Sequence, residues 1–211
     1  MKLSASLFAA DPFRLEAQVA AVEPHVDSLH VDIIDGRFAP AFGLGERLVR
    51  GLAKICSKPI DIHLMVDSPE YWAPRFAALG ARIVCVHAES DADIHSVLRS
   101  VRNEGAAAYV ALRPDTPISG VRNLLDEADG ALLLTAPAGG GHFIEAALQK
   151  AFDLPRAYPS IIDGRIEAAH FEDACAAGVD IAVMGRSLFE HADVSALAEA
   201  LNAKLRELAK A

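Results

Sequence analysis

The stretch Ser28-Leu-His-Val-Asp-Ile-Ile-Asp-Gly-Arg-Phe-Ala-Pro40 begins as an apolar run that contains a histidine and an aspartate two residues apart. Successive side chains of a β-strand point to opposite faces. His30 and Asp32 therefore share one face of the predicted strand, whereas the leucine, valine and isoleucine around them share the other. The two polar side chains converge on one point, and this indicates a functional centre near the end of the strand.

The same arrangement recurs twice. Pro59-Ile-Asp-Ile-His-Leu-Met65 places Asp61 and His63 on one face, and Ile161-Ile-Asp-Gly164 ends an apolar run in Asp163. Taken singly, a histidine in an apolar run is often a hydrogen-bonded core residue, and Asp-Gly often marks a turn. Buried carboxylates, however, are unfavourable unless they are paired or bind a metal. Three such strands therefore predict a metal centre or an acid–base centre assembled from distant parts of the chain.

The composition is that of an ordinary globular protein. The chain has 211 residues, of which 52% are hydrophobic and 23% charged, and its formal net charge is -9. Nucleic acids and anionic membranes need a basic surface, so we expect neither as a partner, and a phosphorylated substrate would need locally placed donors. No apolar run reaches the length of a membrane span, and we find no secretory signal. With three cysteines and no CxxC pair, we expect a cytoplasmic protein.

Apolar runs alternate with helical patterns along the whole chain. The predicted strands are Leu3–Leu7, Leu29–Ile33, Ile60–Met65, Ile83–Val86, Ala107–Leu112, Ala131–Leu134, Ala157–Ile162 and Ile181–Met184. The predicted helices have the approximate bounds Asp11–Val22, Leu48–Ile55, Ser68–Ala78, Asp91–Glu104, Ile118–Glu127, Phe143–Ala151, Ala168–Ala177 and Ser195–Lys210. Eight such units joined by right-handed crossovers close into a (β/α)8 TIM barrel. Because no linker interrupts the alternation, we expect a single domain over residues 1–211.

A doubly wound sheet is the alternative architecture. It would bind its ligand at a switch point with a glycine-rich first turn. Here that turn reads Phe8-Ala-Ala-Asp-Pro12 and contains no glycine. In a barrel, the loops at the carboxyl ends of the strands form the active site, and each unusual polar residue described above lies at such an end.

Five motifs together resemble the ribulose-phosphate 3-epimerase family. They are His30-Val-Asp-Ile-Ile-Asp-Gly-Arg-Phe-Ala-Pro40, Asp61-Ile-His-Leu-Met-Val66, Val86-His-Ala-Glu89, Ala111-Leu-Arg-Pro-Asp-Thr-Pro117 and Ile162-Asp-Gly164. The resemblance extends from Ser6 to Gly185, and its first two motifs are the specific ones. It implies a ribulose-phosphate-binding barrel with a divalent metal, usually zinc, that inverts the C3 centre of a ketose phosphate.

The resemblance, carried over position by position, implies the roles of individual residues. The metal ligands are His30, Asp32, His63 and Asp163, and Asp32 and Asp163 are also the pair that transfers protons on the two faces of an enediolate. Zinc is the expected ion, with iron, manganese or cobalt as alternatives. We expect a homo-oligomer that binds a small-molecule sugar phosphate. The expected substrate-binding residues are Ser6, His63, Met65, Gly139, Gly140, Gly141, Gly164, Arg165, Gly185 and Arg186.

The sequence is consistent with two interpretations of each of three neighbouring polar residues. Asp61 either orients the imidazole of His63 or forms a plain structural hydrogen bond. His87 and Glu89 match the pattern of the family, and they either contact the substrate or support the site from the core.

Two segments depart from the family at its phosphate site. The loop of the family resembles Asn-Pro-Gly-Phe-Gly-Gly-Gln, whereas this chain reads Ala136-Pro-Ala-Gly-Gly-Gly-His142. Arg165 and Arg186 stand where family members usually have small residues. The arginines either block a cradle of backbone N–H groups or donate charge-assisted hydrogen bonds to a phosphate or carboxylate. Because three successive glycines remain and an arginine pair suits an anion, we favour an anionic substrate tail.

Three rival functions remain to be compared. The first keeps the chemistry but acts on a hexulose phosphate, such as allulose 6-phosphate, or on a sugar acid phosphate. The second is a decarboxylase of the orotidine or keto-gulonate phosphate type, which needs a lysine in an Asp-x-Lys-x-x-Asp pattern where this chain has His63. The third is a non-catalytic sugar-phosphate-binding barrel, and the retention of all four ligand types argues against it.

Overall fold

Eight parallel strands form a closed barrel in chain order, and the last strand pairs with the first. The computed structural model describes residues 1–155 and 157–208. The strands are β1 Lys2–Ser6, β2 Ser28–Ile34, β3 Ile60–Met65, β4 Ile83–His87, β5 Ala107–Leu112, β6 Gly130–Leu134, β7 Ser160–Asp163 and β8 Ile181–Met184. The predicted (β/α)8 TIM barrel is therefore confirmed.

Helices connect consecutive strands and cover the outside of the barrel. They are α1 Leu15–Val22, α2 Glu46–Ile55, α3 Pro69–Ala78, α4 Ile94–Asn103, α5 Arg122–Leu125, α6 Glu145–Gln149, α7 Phe171–Ala176, α8 Arg186–Phe189 and α9 Val194–Leu208. None of the helices within residues 1–155 and 157–208 is long and apolar enough to cross a membrane.

The strands are buried on both faces. Every residue of β2, β3 and β6 is buried, because one face of each strand lines the barrel interior and the other packs under the helices. Such strands read as continuous apolar runs. The few polar side chains within them are therefore exceptions to a strong packing rule, and four of these exceptions are His30, Asp32, Asp61 and His63.

The first helix starts later than the sequence predicted. Asp11 closes a separate turn ahead of the helix, in which its Oδ1 atom accepts a hydrogen bond from the N–H of Phe13 and its carbonyl oxygen accepts one from the N–H of Arg14. These contacts close a turn, and α1 begins at Leu15. The prediction of a helix from Asp11 and Pro12 is therefore wrong at its start.

Other boundaries also differ. Ala157 adopts a φ of 64°, which a strand does not allow, so β7 begins at Ser160. The predicted fifth, sixth and seventh helices are each partly replaced by 3₁₀ turns, at Ile118–Val121, Lys150–Asp153 and Ala168–His170. Helix α8 has only four residues, too few to show a helical period in the sequence. The predicted end of the last helix, Lys210, lies outside the described residues.

Candidate metal and active site

Parallel register brings the predicted site residues to one end of the barrel. Asp32 of β2 pairs with His63 of β3, and Ser6 of β1 pairs with His30 of β2. Asp163 is the last residue of β7. Since the carboxyl ends of all the strands meet at one mouth, residues from the beginning, middle and end of the chain share one site.

Four side chains form a cluster that fits a divalent metal ion. His30, Asp32, His63 and Asp163 are all buried, and one ligand atom from each lies within 4.8 Å of the others. The Nδ1 atom of His63 lies 3.2 Å from a carboxylate oxygen of each aspartate, and the Nε2 atom of His30 lies 3.6 Å from the same two oxygens. Ligands at zinc bond lengths of about 2.1 Å would stand about 3.4 Å apart around a tetrahedron. These four side chains therefore fit such an ion.

Unpaired polar atoms support the same conclusion. Neither ring nitrogen of His30 has a hydrogen-bond partner among the described residues, although the residue is fully buried. A buried polar group without a partner is unfavourable, and a ligand often explains it. A metal ion between His30 and the two carboxylates would satisfy Nε2.

The two carboxylates of the cluster favour positive charge beside them. Burial alone would lower the pKa of His30, but the carboxylates of Asp163 and Asp32 outweigh it and raise the pKa to about 10. The same carboxylates raise the pKa of His63 against burial. Burial would raise the pKa of Asp32, yet the two imidazoles lower it, and they also lower the pKa of Asp163. The two carboxylates thus favour positive charge among these side chains, and a divalent cation would supply it.

Two hydroxyl groups hold the aspartates in place. Ser6 donates a hydrogen bond of 2.8 Å to Oδ2 of Asp32. The side-chain oxygen of Thr135, fully buried, lies 2.6 Å from the carbonyl oxygen of Gly164 and 3.0 Å from that of Asp163. Thr135 was not among the residues predicted from the sequence. It directly follows the apolar run of β6, and its position at a strand end was the available signal.

Behind His63 lies a second polar pair. The Nε2 atoms of His63 and His87 are 3.0 Å apart, and Nδ1 of His87 lies 2.8 Å from Oε2 of Glu89. Burial lowers the pKa of His87 to about 4 despite this carboxylate. The contact with His87 overcomes the effect of burial on Glu89 and lowers its pKa to about 2. His87 is fully buried, and neither residue is among those that line the cavity at the mouth of the barrel, so the structure favours the core interpretation over contact with the substrate.

Asp61 has a separate partner. Its Oδ1 atom accepts a hydrogen bond of 2.9 Å from the guanidinium of Arg82, which directly precedes β4. Burial raises the pKa of this carboxyl group even though Arg82 acts against it. Of the two interpretations of Asp61, the structural hydrogen bond is the one that its contact with Arg82 favours.

A cavity of about 450 Å³ opens above the cluster at the mouth of the barrel. Ten of the residues predicted from the sequence line it: Ser6, Asp32, Met65, Gly139, Gly140, Asp163, Gly164, Arg165, Gly185 and Arg186. Gly141 and His63 were also expected to contact the substrate, and they are not among the lining residues. Other lining residues were not predicted as site residues from the sequence: Phe8, Ala136, Ile166, Val183, Glu167 and Glu190.

The turn after β7 has an unusual backbone. Gly164 has a φ of 110°, and a Cβ atom there would lie 2.8 Å from the backbone nitrogen of Ala136, so only glycine fits. Arg165 follows with a φ of 61°, in the left-handed region that residues other than glycine and asparagine rarely adopt. The chain thus keeps an arginine at a cavity wall where glycine would relieve the backbone.

Comparison with known proteins agrees with this site. The family model described as the Ribulose-phosphate 3 epimerase family matches residues 2–189. This chain belongs to the ribulose-phosphate 3-epimerase family. It is similar to a ribulose-phosphate 3-epimerase of Mycobacterium leprae, with 36% identity over 94% of this chain and 92% of the relative. It is also similar to one from Aquifex aeolicus, with 34% identity over 99% of this chain and 97% of the relative. The expected family is confirmed, and with it an isomerase of the epimerase class acting on a carbohydrate.

Solved structures of other members of this fold resemble the barrel as a whole. The 3-hexulose-6-phosphate synthase from Salmonella typhimurium has a TM-score of 0.80 and 18% identity, covering 99% of this chain and 100% of the solved one. At this identity the likeness shows the fold alone. The epimerase assignment therefore rests on the family match and its relatives.

Proposed function

We propose that this chain is a metal-dependent 3-epimerase of a ketose phosphate, with the conversion of D-ribulose 5-phosphate to D-xylulose 5-phosphate as its default reaction. One observation carries the proposal. Asp32 and Asp163, which come from strands far apart in the sequence, both lie 3.2 Å from one imidazole nitrogen of His63 and both line the same cavity. Two carboxylates and a cation site at one point are what C3 inversion requires.

The ion would be held by His30, Asp32, His63 and Asp163. When bound, it would supply Lewis-acid stabilisation of the negative charge that develops on the substrate oxygens. Two nitrogen and two oxygen donors suit zinc, and iron, manganese and cobalt bind the same donor types.

Proton transfer falls to the two aspartates. A hydrogen on a carbon beside a carbonyl group is a very weak acid, and inversion needs a base on one face of the planar intermediate and an acid on the other. One aspartate removes the C3 proton, and its protonated partner returns a proton to the opposite face. The hydrogen bond from Ser6 fixes the orientation of Asp32, and Thr135 fixes the backbone that carries Asp163.

Apolar side chains surround the reacting carbons. Ile34, Met65, Leu134 and Val183 line the cavity beside the aspartates. They would limit water around the intermediate, and electrostatic interactions strengthen where water is excluded.

The anionic tail of the substrate is assigned to the other wall of the cavity. Arg165 and Arg186 are among the residues that line it. Guanidinium groups form charge-assisted, often bidentate hydrogen bonds with phosphate. Glu167 and Glu190 line the same cavity, so the arginines are needed to balance their charge when a dianion binds.

The same arginines favour one alternative within this chemistry. They replace small residues at the expected phosphate site, and this change favours a substrate that differs from the default one in chain length or in total negative charge. A hexulose phosphate, or a sugar acid phosphate with an additional carboxylate, is the second candidate.

A substrate panel tests both candidates. Turnover of D-ribulose 5-phosphate, allulose 6-phosphate and a sugar acid phosphate should be compared with that of unphosphorylated D-ribulose, with zinc-replete protein. We expect one phosphorylated ketose to have a kcat/KM far above that of D-ribulose. No turnover of any of them by metal-replete protein would contradict the proposal.

The role of the arginines is tested by Arg165→Gly and Arg186→Ser. Each should raise KM for the preferred phosphorylated substrate by about tenfold, the effect of losing one good charged hydrogen bond, with a smaller change in kcat. Arg37→Ser is the control, because Arg37 is exposed and pairs with Asp67. Unchanged KM in both variants would show that the arginines do not bind the tail.

A further inference from the structure

His63, His87 and Glu89 form a continuous line of hydrogen bonds that leads away from the metal cluster. His63 directs Nδ1 at the two aspartates and Nε2 at the Nε2 atom of His87. His87 directs Nδ1 at Oε2 of Glu89. Two ring nitrogens that face each other at 3.0 Å can form a hydrogen bond only if one donates and the other accepts.

The position of Glu89 decides which nitrogen donates. A carboxylate only accepts, so Nδ1 of His87 must carry a proton. In the neutral ring its Nε2 atom is then an acceptor, and Nε2 of His63 must donate to it. A neutral His63 with its proton on Nε2 has a free lone pair on Nδ1, the atom that lies between Asp32 and Asp163. The geometry of Glu89 thus selects the form of His63 that is able to bind a metal.

The other oxygen of Glu89 is fixed as an acceptor as well. Oε1 accepts a hydrogen bond of 2.8 Å from the backbone N–H of Arg113 and another from the hydroxyl of Thr116. Lys150 holds the same loop, because its Nζ atom donates to the carbonyl oxygens of Arg113 and Thr116. A backbone N–H only donates. The atom of residue 89 that faces the N–H of Arg113 must therefore be an oxygen, and this fixes the orientation of the side chain.

Packing against Phe38 restricts the ring of His87. The ring of Phe38 lies 4.7 Å from it, and the guanidinium of Arg113 lies 4.3 Å from the centre of the Phe38 ring while donating to the carbonyl oxygen of that residue. Both the rotation and the hydrogen bonding of His87 are therefore constrained by its neighbours.

We propose that His87 and Glu89 are positioning residues, which hold His63 in the tautomer that leaves Nδ1 free for the metal ion. This inference rests on the proposed metal-dependent function. It assigns a role to two residues that touch neither the cavity nor the two acid–base carboxylates.

The first test uses the unaltered protein. In zinc-loaded protein with ¹⁵N-labelled histidine, the ring nitrogen resonances should show the proton of His87 on Nδ1 and that of His63 on Nε2. A proton on Nε2 of His87 would overturn the inference without any variant.

The second test uses Glu89→Gln to exchange the donor and acceptor roles along the line of hydrogen bonds from residue 89 through His87 to His63. Since position Oε1 must accept from Arg113, the amide nitrogen takes the place of Oε2 and donates to His87. The proton of His87 then moves to Nε2, and that of His63 moves to Nδ1, where it competes with the metal. We expect zinc affinity, measured by chelator competition, to fall by about 10–100-fold, with the matching change in the ring resonances.

Thr116→Ala is the matched control. It removes one hydrogen bond to Glu89, while the N–H of Arg113 still determines which atoms of Glu89 accept. Since no donor and acceptor exchange roles, zinc affinity should stay within about threefold of that of the unaltered protein. If unaltered protein binds no divalent ion, the proposed function fails together with the inference. If it binds zinc and Glu89→Gln binds it equally well with unchanged resonances, the inference alone fails.

Discussion

The hydroxyl of Ser6 and the carboxylate of Asp32 form a 2.8 Å hydrogen bond between neighbouring strands β1 and β2. Asp32 uses Oδ2 for this bond and directs Oδ1 at His63. We expect Ser6→Ala to lower kcat about tenfold, because a hydrogen bond to a charged group contributes about 1.5–3 kcal/mol and here it orients an acid–base group. Bound zinc per chain should not change.

Ser4→Ala is the control for this variant. Ser4 is a buried serine of the same strand that bonds to Ser28 instead of a site residue. Its loss should affect stability and leave kcat unchanged, so equal loss of kcat in both variants would argue against a specific role for Ser6.

Asp163→Asn should abolish measurable turnover while the barrel still folds. Loss of one acid–base group typically lowers the rate by about 10²–10⁴-fold, and Asp163 is also expected to bind the ion. Steady-state kinetics and circular dichroism provide the measurement, with the exposed Asp153→Asn as control. Activity close to normal in Asp163→Asn would refute the role assigned to this carboxylate.

Zinc binding should become tighter as the pH rises. In metal-free protein the pKa of His30 is raised to about 10, so at neutral pH its imidazole holds a proton that the ion must displace. Each proton released makes the affinity rise by about tenfold per pH unit. Chelator competition between about pH 6 and pH 8 should therefore show at least this slope. An affinity independent of pH would contradict the electrostatics described for the cluster.

Arg165→Gly should increase stability while it weakens substrate binding. Its φ of 61° costs about 1–2 kcal/mol for a residue with a side chain, and glycine removes most of this strain. Arg186→Gly is the contrast, because Arg186 begins helix α8 and glycine should lower stability there by about 1 kcal/mol. Denaturant unfolding measures both. A loss of stability in Arg165→Gly would show that the left-handed conformation is not strained.

The strands and the metal cluster could be predicted from the sequence because each depends on a local rule. Alternation within a strand puts His30 and Asp32 on one face, and the parallel barrel brings strand ends together whatever their distance in the chain. The same reasoning brought Asp163, 100 residues after His63, into the predicted centre. The choice of the four ligands, without Asp61, followed instead from the resemblance to the family. Strand limits such as Ile60–Met65 are also as predicted, since buried apolar runs end abruptly at polar turns.

The features that could not be predicted from the sequence depend on contacts between residues that are far apart in the chain. The contact of Asp61 with Arg82 depends on the pairing of β3 with β4, because Arg82 directly precedes β4, and nothing near Asp61 in the sequence predicts it. The contact between His63 and His87 is of the same kind. The start of α1 also differs from the prediction, because Asp11 and Pro12 form a separate hydrogen-bonded turn that ends at Arg14, and the helix follows that turn.

The most direct measurement is the exchange of the C3 hydrogen of D-ribulose 5-phosphate in deuterated water, followed by NMR with zinc-replete protein. If Asp32 and Asp163 work on opposite faces of the enediolate, deuterium enters at C3 and D-xylulose 5-phosphate accumulates at a comparable rate, whereas Asp163→Asn gives neither. Zinc-replete protein that leaves C3 unlabelled in this substrate and in the other ketose phosphates of the panel would contradict the epimerase assignment.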